Sequence, residues 1–177
     1  LERVGVRLNT SFTMKKIGLL SDTHGYLDPA VFKHFETVDE IWHAGDFGNI
    51  ALADELAAFK PLRGVYGNID GKDVHLVYPE NLRFFCEEVD VWITHIGGYP
   101  GKYNLAVKPE IYTNPPALFI CGHSHILKVI FDKKINCLHL NPGAAGKQGW
   151  HKTRTLLRFS ISEKRIYDLE VIEIVNP

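Results

Sequence analysis

Ser21-Asp22-Thr23-His24-Gly25 follows directly on the apolar run Ile17-Gly18-Leu19-Leu20. A run of that kind ending in a turn residue predicts a buried parallel strand, here Lys15 to Ser21, with an aspartate and a histidine at its carboxyl end. Open α/β sheets hold their ligand sites at that edge. Further along the chain, more short apolar runs stop abruptly at polar residues, each of a type that can bind a metal. These runs are expected to converge on one site.

Outward from that strand, Asp28-Pro29 supplies an N-cap and a first helical residue, predicting a helix from Pro29 to about Glu36 with Val31, Phe32 and Phe35 on one side. Ile41 to Ala44 is a second strand, ending in Gly45-Asp46, and Asn49 then caps a helix through Ala58 in which Leu52, Leu56 and Phe59 recur at helical spacing. Leu62 to Tyr66 is a third strand and stops at Gly67-Asn68-Ile69-Asp70. This alternation predicts a parallel half-sheet with helices packed on it. Leu82 to Cys86 and Val89 to Thr94 form a hairpin that ends at His95, and Ala117 to Cys121 is a buried strand ending at Gly122-His123-Ser124-His125. Between them, residues 96–116 are rich in Gly, Pro, Tyr and Asn, with a weak helical pattern around Leu105 to Tyr112. Leu127 to Phe131, Asn136 to Leu140, Thr155 to Ile161 and Arg165 to Val175 are expected to build a second, more antiparallel sheet.

A chain of 177 residues with 45% apolar and 23% charged residues fits one folded domain, placed over residues 14–177. Residues 1–13 lack the unbroken apolar segment of a signal peptide, and Met14-Lys15-Lys16 resembles a natural start, so the leader is expected to be a poorly ordered extension. The formal net charge of -1 offers no field to gather nucleic acid or an anionic membrane. No apolar run approaches the roughly 18 residues of a membrane span. Cys86, Cys121 and Cys137 are an odd number at spacings of no metal pattern, as expected of buried thiols in a cytoplasmic protein.

Asp22, His24, Asp46, Asn68, His95, His123 and His125 each lie at or just past a predicted strand end. Seven oxygen and nitrogen donors without a thiolate suit imidazole-tolerant divalent ions such as Mn, Fe, Co, Ni or Zn. One ion takes four or five ligands, so seven suggest two ions sharing a carboxylate. The i, i+2 spacing of Asp22 with His24, and of His123 with His125, is expected to point each pair to one side of extended backbone. Gly45, Gly67 and Gly122, which precede Asp46, Asn68 and His123, are expected to let the backbone approach closely. Any one of these dipeptides alone is a common turn; their joint presence at strand ends is what argues for a site.

In order and context these motifs, together with Asn141-Pro142-Gly143, resemble the calcineurin-like metallophosphoesterases, and the small size is similar to the single-domain bacterial and archaeal phosphodiesterase branch. The resemblance runs from Lys15 to the C-terminus. It implies a four-layer αββα sandwich of two mixed sheets flanked by helices, an α/β fold, with a two-metal site at one edge. It also implies one ion on Asp22, His24 and His125, a second on Asn68, His95 and His123, and Asp46 bridging. Asp46, Asn68 and His95 are the expected catalytic residues, and manganese is the leading expectation for the ions. Two such ions about 3.5 to 4 Å apart acidify a shared water and brace phosphoryl oxygens during in-line displacement. They outweigh two carboxylates in charge, so a small phosphorylated substrate is expected without any basic patch.

Two departures stand out. Many relatives carry a proton-donating histidine directly after the motif asparagine, where this chain has Ile69, and the small branch commonly has His-Gly-His where this chain has His95-Ile96-Gly97. Good leaving groups are therefore expected, since positioned proton donation is worth roughly a hundredfold or more. Asp70 and His43 are expected to support the ligands from behind, while His34, His75, His139 and His151 are read as structural or exposed. Tyr99, Lys102, Tyr103 and Trp150 lie on loops that could face the site. The alternatives are a phosphomonoesterase or nucleotide phosphatase, and a non-catalytic scaffold like the retromer subunit of similar fold, with homodimerisation through a sheet edge a further option.

Overall fold

The computed structural model describes residues 14–174. The leader, 1–13, and Val175 lie outside them. Strands and helices follow in the order β1 (Lys15–Leu20), α1 (Pro29–His34), β2 (Glu40–His43), α2 (Ile50–Phe59), β3 (Leu62–Gly64), α3 (Lys72–His75), β4 (Asn81–Cys86) and β5 (Val89–Thr94). After these come β6 (Gly98–Tyr99), β7 (Lys102–Tyr103), α4 (Lys108–Thr113), β8 (Leu118–Ile120), β9 (Lys128–Asp132), β10 (Cys137–Asn141), β11 (Arg154–Ser162) and β12 (Arg165–Ile174).

Both expected caps form. Asp28 accepts the Ala30 N–H with Pro29 at the helix start, and Asn49 accepts the Leu52 N–H. Each satisfies one of the donors that a helix N-terminus leaves open. β1, β2 and β3 run parallel, as the strand-helix alternation requires.

The second expected grouping is corrected by the topology. β11 and β12 do not join β9 and β10; they extend the first sheet, in the order β12-β11-β1-β2-β3, through antiparallel pairing of β11 with β1. The other sheet runs β4-β5-β8-β10-β9. Alternation along β11 explains why it seats there. Leu157, Phe159 and Ile161 face the space between the sheets with Ile17, Leu19 and Trp42, while Leu156 faces the helices with Leu20 and Ile41. A strand apolar on both faces belongs in a doubly covered sheet, but its own sequence does not say which one.

Three apolar layers follow. The central one joins the sheets, with Val91, Ile93, Leu118, Ile120 and Leu140 from the second sheet meeting the residues just named. On the outer face of the first sheet, Val31 and Phe35 by α1 and Leu52, Ala53 and Leu56 of α2 cover Leu20, Ile41 and Leu156. On the outer face of the second, Val107, Ile111 and Tyr103 cover Trp92, Phe119 and Cys137. This is the αββα order, with its last layer thinned to α4 and the β6–β7 ribbon. Gly18 is required under Phe35, because a Cβ there would stand 2.8 Å from the ring of that fully buried side chain. The three cysteines are free and buried.

His139 on β10 is wholly enclosed beside Phe119 and Tyr103, and neither ring nitrogen has a hydrogen-bond partner. Burial, with the charge of Lys128 adding to it, pushes its imidazole down to about 4. The folded state therefore refuses a proton that the unfolded chain accepts below pH 6.5, so stability from this residue is intact above that pH and is lost as pH falls toward 4. Replacing His139 by Gln should flatten the loss by up to about 1.4 kcal/mol per pH unit across that window. Denaturant unfolding of both proteins at several pH values between 7 and 4 checks this, and parallel curves would contradict it.

Candidate metal centre

Every parallel strand presents its carboxyl end to one edge, and the loops beyond those ends are laced together. Asp22 N–H donates to Gly45 O at 3.0 Å, His24 N–H to Asp46 O at 3.0 Å, and Gly122 N–H to His95 O at 3.0 Å. Two contacts bridge the sheets: His123 N–H donates to Asp22 Oδ2 at 3.1 Å, and His95 Nδ1 donates to Ala44 O at 2.7 Å. The carbonyl can only accept, so His95 carries a proton on Nδ1 and turns Nε2 inward toward the carboxylates.

Asp22, His24, Asp46, His123 and His125 all have positive φ, between 48° and 65°. The extended backbone expected for the two i, i+2 pairs is thus corrected: the side chains converge because each residue is left-handed. Of the nine non-glycine residues with positive φ among those described, the other four lie in turns between strands or at the β12 bulge. Left-handed backbone costs roughly 1–2 kcal/mol per ordinary residue, and its concentration at one edge is the pattern of a functional site. The glycines serve the side chains as much as the chain path. A Cβ on Gly67 would collide with the Asp46 carboxylate, and one on Gly122 with Ser21 Oγ.

The convergence is tight. Asp22 Oδ1 lies 3.1 Å from His125 Nε2, 3.8 Å from His24 Nε2 and 3.9 Å from His95 Nε2. Asp46 Oδ2 lies 3.2 Å from His95 Nε2 and 3.6 Å from His24 Nε2. Two donor clusters result, Asp22 with His24 and His125, and Asp22 with Asp46 and His95. Asp22 therefore reaches both clusters directly. His123 stands with its ring 5.3 Å from that of His95, and Asn68 shares a cavity wall with His95; both are exposed.

Charge follows from this packing. Burial alone would raise the Asp22 carboxyl, but contact with His125 and His24 and the charge of His95 hold it well below the usual carboxylate range. Burial opposes ionisation of Asp46 too, and His95 with the Ile69 N–H overcomes it. His24 is raised chiefly by Asp22, and His95 is raised by Asp46 and Asp22 against its own burial. Yet Asp22 Oδ1 and His95 Nε2 are buried without a hydrogen-bond partner. Imidazole nitrogens gathered around ionised oxygens, with Asp22 Oδ1 and His95 Nε2 left unsatisfied, form a donor set that fits divalent cations.

Behind the donors, Asp70 accepts backbone N–H groups from Gly67 at 2.8 Å, Gly48 at 2.8 Å and Phe47 at 3.2 Å, tying the Asp46 loop to the Asn68 loop. His43 is fully buried and stacked on Phe47; its Nδ1 accepts Gly45 N–H, so its Nε2 donates to Thr23 Oγ1 at 3.0 Å. Burial pushes it down to about 3, which keeps it neutral and its tautomer fixed. Thr23 in turn donates to Phe47 O at 3.0 Å. Its brace role was not legible in sequence, where it is only the residue between two ligand types. Asn141 donates to Gly122 O at 2.8 Å and so steadies the His123 loop.

His151, expected to be structural or exposed, is half-buried with its ring 5.2 Å from that of His125. Trp150 is fully exposed beside it, on the wall of a cavity that includes His123 and His125. Tyr103 instead turns into the third apolar layer, donating to Asp132. The stretch after His95 becomes the β6–β7 ribbon, and Gly97 fits where a Cβ would meet Phe119 and Cys121.

Residues 14–164 match the model of the calcineurin-like phosphoesterase superfamily domain. The chain belongs to that superfamily. Its enzyme class is therefore that of metal-dependent phosphoric ester hydrolases, as the motifs implied. A phosphodiesterase of Methanocaldococcus jannaschii is 30% identical over 145 residues, covering 72% of this chain and 82% of its own length. Among solved structures, an archaeal phosphodiesterase superposes with a TM-score of 0.71 at 21% identity, covering 90% of this chain and 99% of its own. Vacuolar protein sorting 29 from Cryptosporidium parvum also reaches 0.71, at 15% identity, over 93% and 100%. At such identities these superpositions speak for the fold alone, and they confirm the αββα architecture for this member of the superfamily.

Replacing Asp70 by Asn should cost about 1–3 kcal/mol, because one buried acceptor oxygen becomes an NH2 group facing backbone donors. Urea unfolding of the metal-free protein measures it; unchanged stability would remove Asp70 from its bracing role.

Proposed function

We propose that this superfamily member is a phosphodiesterase that uses two divalent ions, with manganese the first choice, to cleave a small phosphate diester. The observation that carries the reading is the convergence of three imidazole Nε2 atoms on the ionised oxygens of Asp22 and Asp46. Asp22, His24 and His125 would hold one ion, and Asn68, His95 and His123 the other. Asp46 would be shared.

The chain's own contribution is orientation. Asp46 Oδ1 is pinned by the Ile69 N–H at 3.0 Å, and Asp22 Oδ2 by the His123 N–H, which leaves one oxygen of each carboxylate to ligate. Ala44 O sets the His95 tautomer that exposes Nε2. When bound, two divalent ions supply charge that braces the phosphoryl oxygens and acidifies water. Ile69 is half exposed beside this edge and brings no proton for the leaving group. Aryl esters are therefore favoured over alkyl esters.

Metal analysis of the purified protein should give about two transition ions per chain, the stoichiometry of two-metal hydrolases. Asp46→Asn should lower hydrolysis of bis(4-nitrophenyl) phosphate by a hundredfold or more, on the order of the loss of one electrostatic anchor. Wild-type turnover no greater than that of the variant would contradict catalysis at this site, and less than about one ion per chain would favour a scaffold role. Methyl phosphate esters should turn over slower than aryl esters by roughly a hundredfold or more.

A further inference from the structure

A cavity of about 340 Å³ opens from Asn68 and His95 and runs between the second sheet and the segment leading into α4. It lies within the size range of small-molecule sites. Its chemistry differs from that of the metal edge. Tyr66 gives it an aromatic surface, one face already backed by His75 at 3.9 Å, while Trp92 lines it but is only 6% exposed. Asn81 and Asn104 line it as well, and both amides are oriented. The Trp92 Nε1–H donates to Asn81 Oδ1 at 3.1 Å and the Ala106 N–H to Asn104 Oδ1 at 2.9 Å, which leaves their NH2 groups as donors. Glu80 and Glu110 add acceptors, Glu110 with its Oε1 engaged by Arg83 and Asn114 behind the wall, and no lysine or arginine is among the lining residues.

We propose that this cavity receives one ester substituent of the substrate, and that the substituent is nucleoside-like: an uncharged planar heterocycle carrying both donors and acceptors. The inference rests on the phosphodiesterase reading. The Tyr66 ring suits a planar heterocycle, and base stacking on an aromatic side chain is worth about 1–3 kcal/mol per base. Two amide donors set among carboxylate acceptors match the edge of a nucleobase better than a plain hydrocarbon ring. The charge of Glu110 is matched by Arg83 at 3.2 Å, but no lysine or arginine lines the cavity to receive a second phosphate and Glu80 repels one, so a nucleoside diphosphate or a longer oligonucleotide strand fits less well than a single nucleoside. The cavity starts at Asn68 and His95, so a group seated in it stays attached to a phosphoryl centre at the metal edge.

Two substrates with the same leaving group test this: thymidine 5′-(4-nitrophenyl phosphate) and methyl 4-nitrophenyl phosphate, both releasing 4-nitrophenolate from manganese-loaded enzyme. The thymidine ester should show a KM lower by about tenfold or more at similar kcat, the gain expected of one stacked base. Ala106 is exposed on the cavity wall, and Ala106→Trp should bring the ratio of the two KM values close to one. Saturation-transfer NMR with free thymidine and metal-free protein gives a readout that needs no catalysis. Base protons should receive saturation from the wild type and lose it with the variant. Equal KM values in the wild type, or a ratio that survives Ala106→Trp, would overturn the cavity assignment while leaving the esterase reading intact. Hydrolysis of neither ester would instead sink the esterase reading, and the thymidine NMR signal would then decide the cavity by itself.

Discussion

Two buried carboxylates that stay ionised govern this structure. Asp22 and Asp46 sit at the mouth between two sheets, where desolvation works against their charge. An isolated buried carboxylate would take up a proton instead. What holds them charged is imidazole, arriving from the ends of β1, β5 and β8 in both sheets. The site is therefore a property of the sandwich and of no single motif.

Holding that arrangement requires costly backbone. Five of the donors stand in left-handed conformation, and they stay there because their loops are bound to each other through main-chain contacts and through Asp70, Thr23, His43 and Asn141. Strain of this kind persists where the surroundings over-determine it. The same braces fix which imidazole nitrogen faces inward, and that choice decides whether His95 offers a lone pair or a proton. Chemistry and stability are coupled here: a weakened brace relaxes the backbone and scatters the donors.

Much of this could be read in the chain. The caps at Asp28 and Asn49, the parallel β1-β2-β3 unit and the four-layer order follow from local rules or from the family resemblance. Of the candidate donors legible in sequence, the structure gathers Asp22, His24, Asp46, His95 and His125 into two close clusters. Three things were not legible. The sheet that β11 and β12 join depends on pairing partners 138 residues away, since Leu19 meets Leu157 only in the folded register. Side-chain spacing is visible in sequence and φ is not, so the i, i+2 pairs read as extended where the backbone is left-handed. Thr23 and the cavity lined by Asn81 and Asn104 depend on which loops come together, and nothing local to those residues announces it.

The likeness to vacuolar protein sorting 29 shows that one architecture extends across differently named proteins, so the donor set rather than the fold must carry a functional reading. Anomalous scattering at the manganese edge, from crystals grown with that ion, tests this set most directly. Two peaks are predicted, one against Asp22, His24 and His125 and the other against Asn68, His95 and His123, with Asp46 touching both. A single peak, or manganese bound away from Asp46, would contradict a shared two-ion centre.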